Sequence, residues 1–239
     1  MKYFINRQLF NNIFVFFLIC FFLFLIIYQL YLANKYNYHF RENHSKWMEG
    51  FSQINNQNPI DCNSDNLSSV ISNAVEKDIN NISILSNDIT NTSSQLTPLL
   101  GESDTRTKLN NITSPTLNDS STITDICNAI KTNRYNLSQL NTNINNIYQD
   151  ALQISNGQTT TFTALTSNNI TYPCAPENNI NMTSLCSSEN TNISSINTLS
   201  TNVMTLNNFV TTLQNDQKNK ATNQNNSANT IANSVGVNN

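Results

Sequence analysis

The chain has 239 residues, enough for one ordinary domain with a buried core, but only 11% are charged against roughly 25% in typical soluble domains. Asn, Ser and Thr fill the gap. The net charge of −3 is spread without any Lys/Arg cluster able to neutralise several phosphates, which argues against nucleic acid as a partner, and the low charge also argues against self-repelling disorder.

The first element is IFVFFLICFFLFLIIYQLYL, residues 13–32, twenty residues without a charge. That length matches the roughly 20 residues a helix needs to cross a hydrocarbon core, and predicts a transmembrane segment. A cleaved signal peptide is the competing reading. Its apolar run would be unusually long, and Tyr31 two positions before Ala33 leaves no small-x-small cleavage site, so an uncleaved signal-anchor is favoured. Lys2 and Arg7 on the short side are matched by Lys35, Arg41 and Lys46 on the other, so the positive-inside rule does not orient the segment. Outside it lie Cys62, Cys127, Cys174 and Cys186, an even number that suits an oxidising compartment. The favoured arrangement is a short cytoplasmic N-terminus, 1–12, with the bulk of the chain external.

Residues 33–61 carry Tyr36, Phe40, Trp47 and Phe51 at spacings compatible with one helical face. This stripe either lies at the membrane interface or continues the transmembrane helix onto the external part.

Beyond it the expected class is all-α, a long-helix coiled coil or helical bundle with a disulfide-stapled loop, over residues 62–216. Helix 66–97 is predicted from Val75, Ile82, Ile89 and Leu96, with Ile71 and Leu85 between them, Asp78 and Thr92 at the remaining seam positions and Pro98 ending the run. Helix 122–156 rests on Ile123, Ile126, Ile130, Leu137, Leu140, Ile144, Ile147, Ala151 and Ile154, alternating three and four apart and broken by Asn133. A capping box at Thr122 and Asp125 opens it, and Asn156-Gly157 is a left-handed stop. Helix 188–216 rests on Ile196, Leu199, Val203, Leu206, Val210 and Leu213. Asn, Ser and Thr each lower helix stability by roughly half a kcal/mol relative to Ala, so these helices should hold only by burying their seams, within the chain or between copies. Asn133 and Asp78 either set register or are tolerated near water. Residues 217–239 lose the heptad and read as a flexible tail.

Cys174 and Cys186, twelve residues apart and flanked by Pro173 and Pro176, are expected to pair. Cys62 and Cys127 either pair, which requires their helices to start at the same end, or leave Cys127 a buried thiol. Eleven N-x-[ST] sequons occur where composition alone predicts about ten, so they permit glycosylation without arguing for it.

Two histidines near the membrane segment and no nucleophile, metal-ligand or phosphate-loop pattern point away from catalysis, cofactors, metals and small-molecule substrates. The Asn, Ile, Phe and Tyr bias with scarce Gly is what an AT-rich genome would produce, and the layout resembles that of membrane proteins of large DNA virus particles. The heptad helices point to a non-enzymatic structural or interaction protein that self-associates through them, and the resemblance, resting on composition and layout, implies a virion-membrane protein; the expected partners are lipid, further copies, or other membrane or capsid proteins. The alternative is an attachment or fusion-assisting surface protein.

Overall fold

Where the apolar residues alternate three and four apart, the chain forms helix, and the polar connections between those stretches run back alongside as extended chain. The computed structural model describes residues 54, 56–100, 108–118, 120–165 and 174–234, all within the compact unit Ser52–Asn239. The predicted transmembrane stretch 13–32 and the aromatic residues Tyr36, Phe40, Trp47 and Phe51 lie outside the described residues. Within them no helix is long and apolar enough to cross a membrane.

The described residues contain three long helices and no strand: α1, Leu67–Leu100; α2, Ile123–Leu152; and α3, Met182–Ser234, preceded by a 3-10 turn at Glu177–Asn179. Thr122 and Asp125 close a reciprocal cap on α2, the Thr122 hydroxyl accepting from the Asp125 amide and the Asp125 carboxylate accepting from the Thr122 amide. These bonds favour the ionised form and hold the Asp125 carboxyl below its ordinary range. The Asn181 side chain accepts the Ser184 amide and opens α3.

Several boundaries differ from those read in the sequence. α1 runs through Pro98 to Leu100, since a proline in the last turn removes one bond from a helix that is ending anyway. α2 stops at Leu152, and the left-handed pair Asn156 and Gly157 sits in the turn that follows. Ile154, assigned to the seam, therefore lies past the helix and is only half-buried. α3 starts six residues earlier than expected and continues to Ser234, so most of the stretch read as a loose tail is helix, in a sequence with no Gly or Pro from 177 to 235. From residue 217 to 231 every side chain is exposed, so this end of α3 is helical without packing against the bundle.

All three helices point the same way. The disulfides decide this: Cys62, just before α1, bonds Cys186 in the second turn of α3, and Cys127 in the second turn of α2 bonds Cys174, just before α3. The expected Cys174–Cys186 bridge is not made. With all three helix starts gathered at one end, each of these cysteines meets a partner from another element instead, and Cys127 is no free thiol.

Each helix contacts the other two, and the seams fill one another inside a single chain. Counted from the disulfide end they run in step: Ile82, Leu137 and Ile196 occupy equivalent positions, then Leu85, Leu140 and Leu199, then Ile89, Ile144 and Val203, all buried. Ile126, Ile130, Ile147 and Leu206 are buried as well, while Ile123 is partly buried against the core at the disulfide end. Burial of this stripe, at roughly 25 cal/mol per Å² of apolar surface, is what holds helices of such poor intrinsic propensity.

Candidate functional site: asparagine clamps and a buried acid pair

Three extended segments run antiparallel to the helices, and each is held by side chains that bond both the N–H and the C=O of one residue. On α3, Asn190 accepts the Ile60 amide at 2.7 Å and donates to the Ile60 carbonyl at 3.0 Å. Seven residues on, Asn197 does the same to Gln57, at 3.2 and 2.9 Å. On α2, Asn136 grips Thr113 and Asn143 grips Asn110. On α3, Asn202 grips Thr163, while the Tyr148 hydroxyl of α2 both donates to the Thr160 carbonyl and accepts the Thr160 amide. The Tyr148 ring stacks edge-on with Phe162 and Phe209, fixing the hydroxyl.

The spacing has a simple geometric cause. A heptad of α-helix rises about 10.5 Å, and three residues of extended chain span about 10 Å, so clamps seven apart on a helix meet residues three apart on the extended segment. An asparagine amide carries a donor and an acceptor side by side, so it can pair with the N–H and C=O of one residue as a neighbouring strand would. In the sequence, the one mark that sets these asparagines apart from their many neighbours is the seven-residue spacing of Asn136 with Asn143 and of Asn190 with Asn197.

Near the disulfide end the core turns polar. Asp78, Asn133 and Asn192, from α1, α2 and α3, occupy equivalent seam positions, with Glu189 one step above Asn192, and all four are buried. Gln57 donates to Asp78 Oδ1 at 2.8 Å, and Asn192 donates to Glu189 Oε2 at 3.3 Å and to the Ile130 carbonyl at 3.1 Å. Arg134 donates to Asn192 Oδ1 and to the Ser188 carbonyl. Asp78 Oδ2 and Glu189 Oε1 receive no bond from an amide or hydroxyl donor, and both polar atoms of the Asn133 side chain lack a hydrogen-bond partner. Burial, opposed by hydrogen bonds from Gln57 and Glu189, pushes the Asp78 carboxyl up to about 7. Burial first, then the charge of Asp78, raises Glu189 well above its ordinary range, against the pull of Asn192 and Arg134. Farther along α1, burial raises Asp88 to about 6.

The Asn133 side chain is a net loss to stability, since its amide is desolvated without replacement bonds. Replacing it by leucine, which branches at the same carbon and is apolar, is expected to stabilise the bundle by about 1–2 kcal/mol in urea unfolding; a destabilised Asn133→Leu protein would show that Asn133 is in fact hydrogen-bonded.

The surface offers little chemistry. Two depressions on the outer face of α3, one beside Pro59 and one beside Phe209, are lined by threonine, asparagine and other groups that do not titrate. No group of three or more His, Cys, Asp or Glu able to hold a metal ion occurs among the described residues. Two sequon asparagines, Asn136 and Asn192, are buried and hydrogen-bonded, which closes them to a glycan, whereas Asn66, Asn91, Asn111, Asn118, Asn181 and Asn225 are exposed. No protein-family model matches the sequence, and no curated protein or solved structure is significantly similar to it.

Proposed function

We propose that this protein is a membrane-anchored structural protein that acts by contact, a disulfide-locked helical stalk carrying surfaces for other proteins. The observation that carries this reading is that the polar and titratable groups of the described unit serve its own cohesion. Its asparagines bind its own backbone, its cysteines bind each other, and its most perturbed acids are sealed in the core. The anchor is the uncharged stretch 13–32, and two bridges among four cysteines suit the oxidising side of a membrane or the exterior of an enveloped particle.

Self-association takes a different form from the one the heptads suggested. The seams are filled within one chain, so contacts with further copies or with other membrane or capsid proteins fall to exposed surfaces, among them the outer face of α3 and its projecting end.

Membranes from cells expressing the full chain test this reading. After alkaline carbonate extraction the protein should remain in the pellet, and non-reducing electrophoresis should show the two-bridge form. Release into the supernatant would remove the anchor; fully reduced cysteines would place the bulk of the chain on the wrong side. Cross-linking on the same membranes reports copies, and a strictly monomeric chain would end the self-association part.

A further inference from the structure

The stalk reading needs the polar layer at Asp78 only to be sealed in the core, and it leaves the chemistry of that layer unused. We propose that Asp78 and Glu189 form a buried proton-holding pair that ties bundle stability to pH, the bundle being tightest in mild acid and loosening as the pH rises through neutrality.

The geometry carries this. Both side chains are fully buried, and each has one oxygen held by a neutral amide, from Gln57 or Asn192, and one oxygen with no donor. Two ionised carboxylates here would leave both open oxygens bare and repelling. A proton on Glu189, donated to Asp78, supplies the missing bond and removes one charge. The neighbours do not supply enough compensation. From α2 the charged group acting on the pair is Arg134, which donates to Asn192 and the Ser188 carbonyl; among the described residues the extended segment before α1 contributes neutral Gln57, and α3 contributes neutral Asn192 beside Glu189 itself.

The direction of the pH effect follows from linkage. In the unfolded chain both carboxyls ionise near pH 4, whereas in the folded bundle Asp78 holds its proton to about 7 and Glu189 holds its own well above its ordinary range. The stabilisation is therefore full below about pH 4 and is lost as the pH climbs through the folded values. Each retained proton raises the unfolding constant about tenfold per pH unit over its window. Asp88, raised to about 6, acts in the same sense and must be separated.

The test is urea unfolding of the oxidised full chain in mild detergent between pH 5 and 8, on an Asp88→Asn background. The unfolding constant should rise at least tenfold per pH unit from pH 5 to 7, and the double variant Asp78→Asn with Glu189→Gln should be flat. A flat profile with the pair intact, or an undiminished slope without it, overturns the proposal. If the double variant does not fold, carbon-13 titration of the carboxyl groups in the natural sequence decides: two buried carboxyls with midpoints above about 6, besides Asp88, support the pair, and ordinary midpoints throughout refute it.

Discussion

Removing the bridge between Cys127 and Cys174, by serine at both positions, is expected to lower stability by about 4 kcal/mol, and removing Cys62–Cys186 by about 5 kcal/mol. These values follow from the loop-closure entropy of sequence separations of 47 and 124. The shorter loop lies inside the longer, so losing both costs less than the sum. For a unit of this size a kcal/mol is worth roughly 2–4 °C, so each single loss should lower the melting temperature by about 10 °C or more, read by helical circular dichroism. The physical need is evident in the sequence: helices built from Asn, Ser and Thr start from poor propensity, and parallel neighbours cannot be held by short turns. If reductant leaves the melting curve unmoved, the bridges are not formed in the native protein.

The second large effect is expected at the clamps on α2. Alanine at both Asn136 and Asn143 removes four hydrogen bonds made by buried side-chain amides to the backbone of Thr113 and Asn110, and water replaces part of the loss because those two residues are themselves exposed. A total of about 3 kcal/mol is expected, and hydrogen exchange should show where it goes. The Thr113 and Asn110 amides should exchange about a hundredfold faster, while the α2 amides facing Leu137 and Leu140 keep their protection. Asn143→Asp alone should be intermediate, since a carboxylate still accepts the Asn110 amide but repels its carbonyl. Uniform loss of protection across α2 would mean that the asparagines support the helix itself rather than the returning extended segment.

Some of this structure is legible in the sequence and some is not, for physical reasons. A seam such as Leu137, Leu140, Ile144 and Ile147 is written in residue type, because burial selects apolar side chains at one period. The start of α3 was missed because its first seam positions include Glu189 and Asn192, polar residues that look external and are fully buried. Its far end was missed for the opposite reason: residues 217–231 bury nothing and so leave no pattern. Helix direction is not encoded in periodicity at all. A seam reads alike for parallel and antiparallel packing, and only the length of the connections hinted that the chain returns before each new helix. Cysteine pairing depends on that direction, so the nearest pair in sequence was the wrong guide. The clamps had a visible spacing, but a residue that serves a peptide group elsewhere in the chain looks the same as one that serves water.

The parallel course of the helices also bears on how the chain is made. In an up-and-down bundle each helix can dock on its predecessor across a short turn, whereas here α1 and α3 meet across more than a hundred residues of sequence. Such non-local contacts give a high contact order and slow folding, because the loop must close before its contacts repay it. During synthesis Cys62 and Cys127 emerge well before Cys174 and Cys186, the partners they finally take. For that interval each of the two thiols lacks its final partner, and any bridge formed early must be undone by thiol–disulfide exchange before the native pairs close.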